Sequence, residues 1–211
     1  MSERTALVWG AGGGIGGGLV SKLASEGWRV IAITRRPQNV AGAIASFEAN
    51  VAEPFSVQRA VMAASQEAGE VDLFVYSAGD ISAQPVAEMT PDAWKRILDA
   101  NLNGAYYATH YSLPLLASSA PLVYIGAVSE RMRLPGLSAY AAAKAGLEAF
   151  AEALRKEERK RRVIVLRPGA VNTDFWRKVP FKLPATALSV EQVAEKALEA
   201  IATSAQGNVD L

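Results

Sequence analysis

Apolar positions along the chain fall into two recurring patterns. Short, largely apolar runs lie near 5–10, 29–34, 45–49, 72–76, 121–126, 162–167 and 208–211. Runs of this kind, bounded by turn residues, predict strands buried on both faces. Between them, apolar residues recur at helical spacing near 15–26, 55–68, 91–117, 138–160 and 189–203, which predicts helices with one buried face. Thr90-Pro91-Asp92 opens the third helix with an N-cap threonine and a proline at the first position,. Ser189-Val190-Glu191-Gln192 has the spacing of a capping box,. Strands alternating with helices predict an α/β fold, a doubly wound parallel sheet with helices on both faces. No repeat or linker interrupts it, so residues 1–211 are expected to form a single domain.

Composition narrows the classes of partner. Half of the residues are apolar, enough for a substantial core,. Lys plus Arg number 22 against 21 Asp plus Glu, so no overall pull toward nucleic acid or a membrane surface is expected,. Cysteine is absent and His110 is the one histidine, so no metal constellation is expected,. His110 reads as a packed helix residue among tyrosines. The start Met-Ser-Glu-Arg runs into the first strand, so no signal peptide is expected, and the uncharged stretch 100–129 is poor material for a membrane span,. A cytoplasmic protein is the expectation. The basic run Lys156 to Arg162 closes a helix and reads as a solvated end where cations suit the dipole,.

Two motifs carry chemistry. After the first strand comes Gly10-Ala11-Gly12-Gly13-Gly14-Ile15-Gly16, followed by a helix. Strand, glycine turn and helix bring a dinucleotide's phosphates to a helix N-terminus, with no side chain in the way. Farther on, Tyr140 and Lys144 lie four residues apart in an Ala-rich helix, so phenol and ammonium share a face,. A nearby ammonium is expected to lower the tyrosine from its free value of about 10. Such a pair is suited to moving a proton at a hydroxyl or carbonyl.

Together, Gly10-x-x-x-Gly14-Ile15-Gly16 and Tyr140-x-x-x-Lys144 resemble the short-chain dehydrogenase/reductase family, whose fold is the Rossmann fold. Tyr76-Ser77-Ala78-Gly79 is similar to that family's Asn-Asn-Ala-Gly segment, with only Ala78 and Gly79 retained. Asn101 matches the catalytic asparagine, and Arg167-Pro168-Gly169-Ala170-Val171-Asn172-Thr173 resembles the segment that holds the nicotinamide. The resemblance implies an oxidoreductase acting between a small-molecule carbonyl and a secondary alcohol. It implies Tyr140 as proton donor, Lys144 on the nicotinamide ribose, Asn101 in a water relay and Thr173 at the carboxamide. It also implies a homodimer or homotetramer built on the helices at 91–117 and 138–160.

One departure stands out. The family's catalytic serine precedes its tyrosine at the place taken here by Ala127, and Ser129 comes two positions later. Two readings are open: Ser129 supplies the hydroxyl, or it is a loop serine and the site has none, which implies a slow enzyme or an unusual substrate. The alternative to an enzyme is a low-turnover NADP(H)-binding sensor or scaffold. The second strand ends in Thr34-Arg35-Arg36, with no acid to bond the ribose hydroxyls. Arginine pairs with a 2′-phosphate, so NADP(H) is expected ahead of NAD(H). Asn50-Val51 sits where relatives carry Asp-Val against the adenine, and the Asn50 carbonyl oxygen is expected to make a similar contact,. The link from Arg36 to the third strand is expected to hold one helical turn. In the stretch 174–188, Phe175, Trp176 and Phe181 either wall an apolar substrate or pack the loop onto the domain. Trp9, before the first glycine, is expected to pack against neighbouring strands.

Overall fold

The computed structural model describes residues 4–37, 40–128 and 132–211. Among these residues, seven strands form one sheet: β1 (Thr5–Trp9), β2 (Arg29–Thr34), β3 (Ala45–Glu48), β4 (Leu73–Tyr76), β5 (Leu122–Ile125), β6 (Val163–Arg167) and β7 (Gly207–Asp210). Their order is β3-β2-β1-β4-β5-β6-β7, and every pairing is parallel. The chain steps outward from β1 to β3 and then returns to place β4 on the other side of β1. Above that reversal, between β1 and β4, a crevice opens at the carboxyl ends of the strands.

The period-2 alternation of the strands divides the core. Leu7, Trp9, Ile31, Ile33, Phe74, Tyr76 and Tyr124 face one side, with α2 (Pro54–Ala68), α4 (Gly104–Ser112) and α5 (Ser138–Glu157) packed on them. Ala6, Val8, Val30, Ala32, Leu73 and Val75 face the other, under α1 (Gly14–Ser25) and α6 (Val190–Ala202). Trp9 is fully buried in the first cluster, as its place in β1 requires. Thr90 accepts from Ala93 N to cap α3 (Pro91–Leu98), and Ser189 and Gln192 form the capping box of α6.

Four local expectations need correction. The helix expected over 91–117 runs without a gap from Pro91 to Leu115 but changes its winding: α3 passes into a π-helical turn at Asp99–Asn103, then α4, then a 3-10 turn at Leu113–Leu115. The Tyr76 hydroxyl donates to the Ala100 carbonyl at 2.8 Å, engaging it from outside the helix, and Pro114 cannot supply the amide that would continue α4,. Among the described residues of the link after Arg36, where a helical turn was expected, there is a turn closed by Ala43 N to the Val40 carbonyl at 3.2 Å. The basic run ending at Arg162 is no simple solvated end. Arg161 donates to the carbonyls of Leu116 and Ala117, and Arg162 donates to those of Ile201, Thr203 and Ala205, fastening the end of α6. His110 is exposed, not packed inside, with its ring against Tyr106 and Tyr111.

Candidate active site

The site is built from the ends of the strands. β1 stops at Trp9 because Gly10 adopts φ +77°, and a Cβ there would lie 2.4 Å from the Ala78 nitrogen. The turn closes back on itself at Gly16, where a Cβ would come within 2.2 Å of the Gly10 carbonyl oxygen. α1 then begins at Gly14, with Gly13 as a side-chain-free N-cap. Its first-turn amides lack partners within the helix and face the crevice, as a phosphate-binding turn requires.

The crevice over this turn encloses about 1580 Å³. A pocket for one small ligand spans roughly 300–1,000 Å³, so there is room for a dinucleotide and a second molecule. Every cofactor-contact residue expected from the sequence, from Gly10 to Thr173, lines it. Arg35 and Arg36 stand exposed at the mouth, just past β2. Asn50 is committed locally: its Oδ1 accepts from Ala52 N and its Nδ2 donates to Glu53. The expected use of that oxygen against an adenine ring would thus share it with the turn.

Tyr140 and Lys144 lie on the inner face of α5, both buried and both in the crevice wall. The Lys144 ammonium donates to the Ile125 carbonyl at 2.8 Å, at the end of β5, and stands 5.7 Å from the centre of the Tyr140 ring. Burial lowers Lys144 to about 8, opposed by the Glu148 carboxylate one turn later. Burial pushes Tyr140 upward. The expected lowering of the phenol by its neighbour is therefore reversed: the ammonium is turned to Ile125, and removal from water dominates.

Asn101 is fully buried in the π-helical turn, behind the crevice wall and not on it. Its Nδ2 donates to the carbonyls of Asp80 and Ile97 at 2.7 and 2.8 Å. Its Oδ1 finds no partner among the described residues and presses on Gly79, where a Cβ would lie 2.8 Å away. Ala127 is buried and lines the crevice. Ser129 lies outside the described residues.

The loop after β6 makes the remaining wall. Phe175, Val179 and Phe181 pack on the cluster of Ile81, Ile97, Leu137 and Tyr140, and Phe175, Trp176 and Phe181 also line the crevice. Both readings of these aromatics hold at once. The sequence missed Tyr76, which props the π-helical turn, and Asp80, whose carboxylate meets Arg96 and Lys178. Neither belongs to a spacing pattern, since each works through partners distant in the chain. No group of metal-binding side chains occurs among the described residues, and none of their helices is long and apolar enough to cross a membrane.

A profile of the short chain dehydrogenases matches residues 4–183. The chain belongs to the short-chain dehydrogenase/reductase family of oxidoreductases. It is 30% identical over 190 residues to the 3-oxoacyl-[acyl-carrier-protein] reductase MabA of Mycobacterium avium, covering 88% of this chain and 74% of that one. It is 31% identical over 225 residues to a 2,3-dihydroxy-2,3-dihydro-p-cumate dehydrogenase of Pseudomonas putida, covering 100% and 84%. Among solved structures, a 3-ketoacyl-(acyl-carrier-protein) reductase of Brucella melitensis complexed with NADH superposes with a TM-score of 0.86 at 25% identity, covering 98% and 96%. An alcohol dehydrogenase of Thermococcus sibiricus complexed with 5-hydroxy-NADP gives 0.89 at 20% identity, covering 100% and 96%, a likeness of fold.

Proposed function

We propose that this chain is an NADP(H)-dependent oxidoreductase that interconverts a carbonyl and a secondary alcohol. The observation that carries the reading is a single crevice holding the side-chain-free turn at Gly10–Gly16 and the buried Tyr140–Lys144 pair. When bound, the nicotinamide supplies or takes up hydride. The chain's own residues do the rest. Gly12, Gly14, Ile15 and Gly16 offer the turn and helix start to the pyrophosphate. Arg35 and Arg36 take the 2′-phosphate. Pro168, Gly169, Val171 and Thr173 hold the nicotinamide end, with Ser77, Ala78 and Gly79 on the opposite wall.

Tyr140 gives its proton to the carbonyl oxygen in the reductive direction. Its upward shift keeps it a phenol through the neutral range, which suits a donor,. Lys144, protonated below about 8, holds the ribose and restores the proton. Asn101 closes the relay from behind the wall, its unpaired Oδ1 being the acceptor available to it. The apolar wall of Phe175, Val179 and Phe181 favours a ketone or aldehyde with an apolar body. Mixing the protein with NADPH and a panel of such carbonyls, and following nicotinamide absorbance, tests the reading. Absence of turnover across the panel overturns it.

A second reading, a low-turnover NADP(H)-binding sensor or scaffold, is favoured by one observation: Ala127 occupies the crevice wall where the family places its serine. NADPH binding without oxidation of any carbonyl would support it.

A further inference from the structure

We propose that Asp80 is a positioning residue whose carboxylate clasps the loop after β6 and thereby holds the apolar wall beside Tyr140. Asp80 follows Gly79 at the carboxyl end of β4 and lines the crevice. Its side chain is 14% exposed and meets two cations, Arg96 at Oδ2 and Lys178 at Oδ1. Arg96 comes from the last turn of α3. Lys178 comes from the turn at Asp174–Lys178, 98 residues along the chain, with Nζ 2.6 Å from Asp80 Oδ1. A carboxylate has acceptor sites enough for both donors.

The clasp point is itself fixed. The Asp80 carbonyl accepts from the Nδ2 of the buried Asn101 at 2.7 Å. On the other side, the Lys178 ammonium stands 5.6 Å from the centre of the Phe175 ring. Phe175, Val179 and Phe181 of the same loop pack on the cluster that contains Tyr140. A tie at Lys178 therefore holds the substrate wall against the proton donor.

The charges make the tie more than one hydrogen bond. Arg35 and Arg96 both repel the Lys178 ammonium. Asp80 is the anion between Arg96 and Lys178. Without its charge the same geometry sets cation against cation, and the loop is pushed off the wall.

Asp80→Asn keeps the shape and the backbone carbonyl and removes the charge. Lys178→Ala removes the other half, and Lys178→Arg preserves it. Hydrogen exchange of the amides in 174–182 reads the loop without any need for turnover. Asp80→Asn and Lys178→Ala are each expected to raise that exchange about tenfold, the value of a charge-assisted bond. The double variant should exceed neither single variant by much, and Lys178→Arg should stay near wild type. With a ketone, KM should rise about tenfold while kcat changes far less. The wild-type KM should climb with salt, and the Asp80→Asn KM should not. Unchanged loop exchange in Asp80→Asn, or additive effects of the two substitutions, overturns the clasp. The kinetic readout rests on the reductase reading. A wild type that turns over no carbonyl defeats that reading alone, and the exchange measurement then decides the clasp by itself.

Discussion

Lys144 and Ile125 are joined by a bond from a buried ammonium to the last carbonyl of β5, at 2.8 Å. The bond runs from the inner face of a helix to the end of a strand, so the charge is held at the crevice wall by the sheet itself. It also turns the ammonium away from the role first expected of it, as a charge that lowers the Tyr140 phenol.

The pH dependence of stability follows from that burial. Lys144 falls from 10.5 to about 8 in the folded state. Between those values the unfolded chain binds the proton that the folded chain has released, so stability rises with pH across this window. Below about 8 the cost of burying the charge is fully present. Lys144→Met should erase this rise, of which roughly 2–3 kcal/mol falls between pH 7 and pH 10 at about 1.36 kcal/mol per unit. Urea midpoints of both proteins at pH 7 and pH 10 check it. A parallel pH dependence in the two would refute the assignment.

Tyr140→Phe keeps the ring in its cluster and removes the proton. Turnover should fall by at least about a hundredfold, the usual effect of losing a positioned acid, while NADPH affinity stays within a few-fold. Stopped activity with intact binding is the expected pair of results. Undiminished turnover would end the dehydrogenase reading of this crevice.

NADPH should bind about tenfold or more tightly than NADH, because a charge-assisted contact from Arg35 or Arg36 to phosphate is worth roughly 1.5–3 kcal/mol. Replacing both arginines by alanine should bring the two affinities together. Fluorescence titrations of each nucleotide measure this, and a wild-type preference for NADH would contradict it.

Ala127 lines the crevice and its methyl side chain offers no hydroxyl to a carbonyl oxygen. Ala127→Ser should therefore raise turnover of a simple ketone, by up to about a hundredfold if the new hydroxyl reaches the reacting oxygen. Ser129→Ala should then change little. A drop of about two orders of magnitude in Ser129→Ala would instead assign the hydroxyl to Ser129.

Assembly into a dimer or tetramer is expected through the helical stretch 91–117 and the helix at 138–160, which contain α4 and α5. Tyr106 is 48% exposed there, and its ring meets Phe150 edge-on. Light scattering at micromolar concentration should report more than one copy, and a monomer would rule this out.

The local pattern that builds the crevice was legible in the sequence. The Gly10–Gly16 turn, the Tyr140–Lys144 spacing and the strand-helix alternation each express a rule that acts over a few residues. What escaped depends on partners distant in the chain. The π-helical turn at Asn101 needs the hydroxyl of Tyr76 at the Ala100 carbonyl. Arg162 looked like solvated charge until the end of α6 arrived beside it, 39 residues later. The direction of the Tyr140 shift depended on burial and on where Lys144 points, and helical spacing specifies neither.

The reversal of strand order has a consequence in time. β1 pairs with β2 on one side, and on the other it must wait for β4, with Thr5 N donating to Asp72 across 67 residues. Gly10 cannot be seated against Ala78 before that pairing is made. A chain still leaving the ribosome, with only β1, α1, β2 and β3 released, thus carries the whole glycine turn but has no crevice for it to face. The nucleotide can stabilise the finished sheet, and it has no complete site on the nascent half.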